Sequence, residues 1–239
     1  MTRHPIIVMT AFSQNIAPLY KRWYASLPDM FVPSVKYIHS ITKNCSHGFQ
    51  KQTWYDAIEM KIAHFIHTME QYPDDTIFVC SDADIVFIDT RQSTQPNVLY
   101  NYITHTLYAK KLDMLFLGEG HHDDKVNGGF YAVRNSQRVR DIMRKAKEHC
   151  KKKTPYADQD FYNSDEFQKD PNIKWAIIDR KYVAWGTIVF APLHTLFHHA
   201  VCAKNMEEKL LQQTTVLRVI REAQAMQSKP IHSMRKLFK

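Results

Sequence analysis

No stretch of the 239-residue chain approaches the roughly 18 apolar residues of a membrane span. The apolar run near the amino terminus, Ile6 to Met9, is too short for a signal-peptide core, so a soluble, cytoplasmic protein is expected. Paired cysteine spacing is also missing. Cys45, Cys80, Cys150 and Cys202 lie far apart, and Cys80 falls in an apolar run, which argues for reduced thiols over disulfides or a zinc site. There are no repeats or low-complexity tracts, which excludes solenoid and disordered classes. Glycine is scarce: four of the six are Gly118, Gly120, Gly128 and Gly129, a concentration that predicts a loop where backbone bends or approaches something closely.

What is present is an ordinary globular composition, with 44% hydrophobic and 23% charged residues, in a length suited to one α/β unit. Strands are expected at residues 5–12, 35–41, 113–117, 130–133, 175–178 and 187–190. Helices are expected at 17–27, 51–71, 96–110, 136–149 and 206–227, with Asn205 capping the last. This alternation predicts a mostly parallel central sheet covered by helices on both faces. In such sheets ligands bind beyond the carboxyl ends of the strands, where Thr10, Ala11 and Phe12 should fall. Residues 1–227 form the expected domain, and 228–239 a basic tail carrying Lys229, Arg235, Lys236 and Lys239.

The chain is organised around residues 77–89, where two apolar, β-branched runs flank Asp82 and Asp84 without a turn-forming Gly, Pro or Asn. Read as one strand, this segment turns both carboxylates to the same side. Two such charges about 6 to 7 Å apart repel by about 2 to 3 kcal/mol at an effective dielectric near 20, and a hard divalent cation such as Mg²⁺ or Mn²⁺ is the natural compensation. The same pair on a solvated strand end would do nothing. Lys61 sits off the apolar stripe of its helix, either solvated or reaching into a phosphate site.

Four segments in order then carry a resemblance. Ser81 to Asp89 resembles the Asp-x-Asp metal signature of GT-A nucleotide-diphospho-sugar glycosyltransferases. Val126 to Ser136 resembles the segment beside the donor sugar, Ala157 to Asn163 the Asp-Gln-Asp motif of the retaining, glycogenin-like and galactosyltransferase-like branches, and Leu196 to Ala200 with Lys204 and Lys209 the late histidine–lysine segment. The resemblance implies a GT-A (Rossmann-like) domain with Asp82, Asp84 and His199 on Mn²⁺ or Mg²⁺. It implies Thr10, Ala11, Phe12, Lys61, Asp82, Ala83, Asp84, Asn127, Gly128, Lys204 and Lys209 on a UDP-sugar donor, and Asp158, Gln159 and Asp160 as catalytic residues. His198 stands as the alternative ligand to His199. Two departures are the glycine missing between histidine and lysine, and Gly128 in place of the common Ala or Ser. The implied reaction moves a sugar to a hydroxyl of a glycan, glycoprotein or lipid, with retention; were it inverting, Asp158 or Asp160 would be the base.

The net charge of +8 favours an anionic partner. A nucleic-acid-binding protein using the basic run 144–153 and the tail is a competing reading, but no recognition helix, zinc finger or aromatic RNA signature supports it, and nucleic acid is not favoured. A metal-dependent phosphohydrolase on the same carboxylates is another. Weak peripheral contact of the tail with an anionic membrane is the remaining partner expectation.

Overall fold

The computed structural model describes residues 4–39, 51–88, 97–120, 122 and 124–227. The basic tail, Cys45 and Asp89 lie outside these residues.

The chain opens with β1 (Ile6–Phe12), α1 (Ala17–Ala25), β2 (Phe31–Tyr37) and α2 (Gln52–Glu70). β3 (Ile77–Ser81), β4 (Ile85–Phe87), α3 (Val98–Ala109), β5 (Met114–Gly118) and β6 (Val126–Arg134) follow. Next come α4 (Gln137–Cys150), α5 (Asp158–Tyr162), α6 (Asp165–Gln168), β7 (Trp175–Ile177), β8 (Val183–Trp185) and β9 (Ile188–Val189), and last β10 (Phe197–His199) and α7 (Met206–Gln227). Helix starts follow the expected chemistry: the Ser136 hydroxyl accepts from the Val139 amide at α4, and Asn205 Oδ1 accepts from the Glu208 amide at 2.9 Å at α7.

Six strands form the main sheet in the order β2-β1-β3-β6-β5-β7. β6 alone is reversed; its neighbours β3 and β5 pair with it antiparallel, and the remaining pairings are parallel. Side-chain alternation divides the core between the two faces. Ile7, Met9, Phe78, Cys80, Phe116 and Tyr131 pack under α2 and α4, against Ile62, Phe65, Met69, Val139 and Met143. Ile6, Val8, Val79, Leu115 and Phe130 pack on the opposite face against Trp23 of α1, Ile103 and Leu107 of α3, and Ile85, Phe87 and Phe197 of a second, four-stranded sheet ordered β4-β10-β8-β9.

Three sequence expectations shift. β2 begins at Phe31, four residues before the expected Val35, because parallel pairing with β1 starts at Ile6↔Phe31 and an edge strand tolerates Pro33; residues 40 and 41 are outside the described chain. Gly128 and Gly129 lie inside β6, not in a loop. The segment 77–88 is not one strand: Asp82, Ala83 and Asp84 form a turn, closed by the Ile85 amide donating to the Asp82 carbonyl at 3.3 Å, that carries the chain from the main sheet into the second.

Among the described residues no helix is long and apolar enough to cross a membrane. Cys80 and Cys150 are buried free thiols, and burial pushes both thiols up. The basic run at the end of α4 is interleaved with acids: Arg144 meets Glu70 and Asp141, Lys145 meets Glu166 at 3.3 Å, and Lys151 meets Glu148 at 2.7 Å. That is the pattern of a charged, solvated helix, not of a phosphate-binding stripe.

Candidate active site

The site forms where β3 ends. The Asp82 amide donates to the Gly129 carbonyl at 2.7 Å, so β6 fixes the start of the turn. Its far end is held by two bonds to the Asp84 carbonyl, from the Ala200 amide at 3.3 Å and from the buried Gln213 side chain of α7 at 3.0 Å. β10 runs antiparallel to β4 with His199 opposite Ile85, which sets the imidazole beside Asp84. The two carboxylates therefore converge through a clamped turn and not through strand pleat.

Ligand atoms of Asp82, Asp84 and His199 all lie within 4.8 Å of one another, and His199 Nε2 is 3.3 Å from Asp84 Oδ1. Two carboxylates and an imidazole suit Mg²⁺ or Mn²⁺, whose ligands stand about 4 Å apart across the ion. Asp84 Oδ1 is buried and lacks a hydrogen bond, as a ligand atom facing an ion's position would be. The residues fit a divalent ion. His198 turns away: its Nε2 meets the Gly186 carbonyl at 2.7 Å, and burial lowers its pKa to about 4 despite that bond. The imidazole brought to the carboxylates is that of His199.

Each carboxylate also has an ammonium partner. Lys61 Nζ donates to Asp82 Oδ1 at 2.8 Å, and Lys209 Nζ contacts Asp84 Oδ2. Burial of Lys61 works against its charge, but Asp82 and Asp158 outweigh burial and hold its pKa above the ordinary lysine value. Burial likewise pushes Asp84 up, and Lys209 and His199 reverse this, holding the carboxyl well below the usual range. Lys204 is exposed, and its amide donates to Glu208 Oε2 at 2.6 Å; of the two lysines, only Lys209 reaches the cluster.

Beside this cluster lies a ring of polar side chains. Asn163 pins α5 to β6 by exchanging two 2.9 Å bonds with Val126, which brings Gln159 against Asn127 and Gly128. Gln159 Oε1 accepts from Asn127 Nδ2 at 3.0 Å and from the Gly128 amide at 3.1 Å. Glu119 closes the ring: its Oε2 accepts from Asn127 Nδ2 and from Gln159 Nε2, both at 2.8 Å. Glycine at 129 is required by packing, since a β-carbon there would collide with the His199 ring and with Asn127 Oδ1. At Gly128 the nearest atoms are the Asp158 carboxylate oxygens at 3.4 Å, ordinary contact.

Asp158 is buried with Oδ2 unpartnered, and desolvation raises its pKa to about 6 against the opposing pull of Lys61. The Asp160 carboxylate is occupied by the Tyr156 amide at 2.9 Å, a local bond at the start of α5. Thr10, buried with its hydroxyl unpartnered, Ala11 and Phe12 end β1 next to β3, where Met9 pairs with Cys80. Phe12 stacks on Tyr20 at 3.8 Å and meets Tyr37 edge-on at 5.1 Å. A cleft of about 330 Å³ opens on the other side of the Gly118–Gly120 loop, lined by Ile177, Arg180, Trp185 and Phe190. Trp185 is the shared wall, its ring 5.4 Å from that of His199. Sequence reasoning passed over Glu119, Gln213 and Trp185. Of these only Glu119 carried a signal, an acid between two of the chain's few glycines.

The family model for nucleotide-diphospho-sugar transferases matches residues 28–213. The structure is similar to that of a glycosyltransferase involved in the glycosylation of the major capsid of PBCV-1, with TM-score 0.62 and 12% identity over 87% of this chain and 99% of that chain. It is also similar to the glycosyltransferase GlyE of Streptococcus pneumoniae TIGR4 (TM-score 0.53, 12% identity, 90% of this chain and 62% of that chain) and to an active-site mutant of LgtC (0.52, 12%, 88% and 96%). At such identities these likenesses show the fold, that of GT-A glycosyltransferases. No curated protein matches the sequence.

Proposed function

The chain belongs to the nucleotide-diphospho-sugar transferase family, and from that premise we propose that it moves a sugar from a UDP-sugar to a hydroxyl of a glycan, glycoprotein or lipid, with retention of configuration. The observation that carries the proposal is the convergence of Asp82, Asp84 and His199 on one point at the end of a central strand, with Lys209 beside them. UDP is chosen over other nucleotides because the motifs resemble the branches that use it. Residues 1–227 act as one catalytic domain on this reading, with the basic tail outside it.

Asp82, Asp84 and His199 would hold a divalent ion, which would supply Lewis-acid stabilisation of the departing diphosphate. The Lys209 ammonium adds a second positive charge where that negative charge develops. Lys61 holds Asp82 in orientation. Thr10, Ala11 and Phe12 receive the nucleoside end beyond β1, with the Phe12–Tyr20 pair as an aromatic wall. Ala83 offers backbone within the turn, and Asn127, Gly128 and Gln159 stand at the sugar end. Burial makes Asp158 a stronger base than an ordinary carboxylate, the group an inverting reaction would use. Retention is preferred because Ala157 to Asn163 resembles the Asp-Gln-Asp motif of the retaining branches, in which the leaving phosphate takes the acceptor proton. The acceptor approaches through the cleft walled by Trp185 and Phe190.

The test is a calorimetric titration with UDP in the presence and absence of Mn²⁺. Binding that requires Mn²⁺ and is lost in Asp84→Ala supports the proposal. Metal-independent UDP binding unchanged by that substitution overturns it.

A further inference from the structure

Most polar atoms in the ring of Glu119, Asn127 and Gln159 are already paired. Asn127 has two N–H donors, and both are engaged, by Glu119 Oε2 and by Gln159 Oε1. Its oxygen accepts from the Gly129 amide at 2.9 Å. Gln159 Oε1 already accepts twice, and one of its two N–H groups points at Glu119. Asn127 is buried, so beyond the spare lone pair on its oxygen the ring leaves one Gln159 N–H and the second oxygen of Glu119, on a half-exposed residue, as the polar groups available to a ligand.

We propose that Glu119, not Asn127, presents the sugar-binding face of this site: Oε2 locks the Asn127 and Gln159 amides in one orientation, and Oε1 accepts a hydroxyl of the transferred sugar. The inference rests on the sugar-transfer reading and assigns a specificity-determining residue within it. A carboxyl acceptor held by two fixed amide donors is pre-organised for an O–H donor, because neither amide reorients when the sugar arrives. The arrangement also makes Asn127 a positioning residue. Its amide orientation follows from the network, since Oδ1 must face the Gly129 amide and Nδ2 the carboxylate. Glu119 is itself fixed at the backbone, its amide donating to the Lys125 carbonyl at 2.8 Å and its carbonyl accepting from His122 at 2.9 Å. It sits on the loop between the ring and the cleft lined by Gly118 and Gly120, so a hydroxyl bound there faces the side from which an acceptor enters.

The experiment compares UDP with UDP-glucose and UDP-galactose, each titrated calorimetrically with Mn²⁺ into wild type, Glu119→Gln and Asn127→Asp, alongside rates of donor hydrolysis to water. Gln at 119 keeps the shape, and thermal melting checks that the fold is intact. The expected result is UDP affinity within twofold of wild type in Glu119→Gln, with the extra affinity of the preferred UDP-sugar over UDP reduced about tenfold and kcat for hydrolysis reduced more than KM rises. Asn127→Asp, which sets a second carboxylate against Glu119, is expected to show the same selective loss. A merely structural role would weaken UDP and UDP-sugar together. Glu119→Gln that separates UDP-sugar from UDP as well as wild type does overturns the inference, as does a wild type whose affinity gains nothing from the sugar. Wild type that binds no UDP with Mn²⁺ overturns the underlying reading, and this inference with it.

Discussion

Replacing Lys209 with Met should strengthen binding of Mn²⁺ alone while weakening binding of UDP with Mn²⁺. Two carboxylates, Asp82 and Asp84, face two ammonium groups, Lys61 and Lys209, so these four side chains are neutral before any ion arrives. A divalent ion adds two positive charges beside Lys209, at an ion–ammonium separation of about 4 to 5 Å set by the shared carboxylate. At effective dielectrics between about 20 and 80 that repulsion is about 2 to 7 kcal/mol. Lys209 need not bear it, because its side chain is 30% exposed and can swing off Asp84. The cost is then the lost ion pair, about 1 to 1.5 kcal/mol for a partly exposed contact, or roughly tenfold in affinity. Once the nucleotide is present the displaced ammonium meets the diphosphate, a charged hydrogen bond of about 1.5 to 3 kcal/mol. Lys209→Met should therefore bind Mn²⁺ alone about tenfold more tightly than wild type, and UDP with Mn²⁺ about ten- to a hundredfold more weakly. Calorimetry at fixed ionic strength measures both, and in wild type Mn²⁺ and UDP must raise one another's affinity by the same factor. Ion-only affinity that is unchanged or lower in Lys209→Met would refute the idea that this lysine stands in the ion's way.

Gly129→Ala should push the His199 ring away from Asp84 and lower Mn²⁺-dependent UDP affinity at least tenfold, whereas Gly128→Ala, with nothing nearer than 3.4 Å, should stay within about 1 kcal/mol of wild type in stability; equal behaviour of the two would contradict the packing argument. Asp158 gives a pH signature. Its folded pKa of about 6 exceeds the ordinary carboxylate value because burial and Asp82 outweigh Lys61, so its contribution to stability is full below about pH 4 and lost as pH rises through about 6. Asp158→Asn should match wild type in melting temperature near pH 4 and exceed it at pH 7.5 by the equivalent of about 3 kcal/mol, from a two-unit shift; a difference that does not change between those pH values would count against it. Asn163→Ala should remove both bonds tying α5 to β6, destabilise by about 1 to 3 kcal/mol and lower the affinity for a UDP-sugar more than for UDP, because Gln159 loses its anchor. Equal losses for the two ligands would place Asn163 outside the sugar end.

How much of this is legible in the sequence depends on the range of the interactions involved. Helix α7 was readable at both ends, because its N-cap and periodicity are local, and so was the apolar run of β3. The resemblance of four motifs, Ser81 to Asp89 first among them, reached the family and named the cluster that the fold assembles. The turn at Asp82 to Asp84 was not readable. The apolar runs on either side, with no Gly, Pro or Asn between them, read as one continued strand, and what holds the bend is tertiary: Gln213, 129 residues further along the chain, bonds the Asp84 carbonyl. Composition could not choose between His198 and His199 either, since the choice is made by β10's register against β4, which directs one ring to Asp84 and the other to Gly186. Gly128 and Gly129 were visible as an anomaly but read as a loop, when Gly129 was marking the place where a strand passes under a histidine ring. Glu119 shows the same limit from the other side. An acid between two glycines has no periodicity to interpret, and its meaning comes only from Asn127 and Gln159, 8 and 40 residues away, which the reversal of β6 and the pinning of α5 carry to within hydrogen-bonding distance of it.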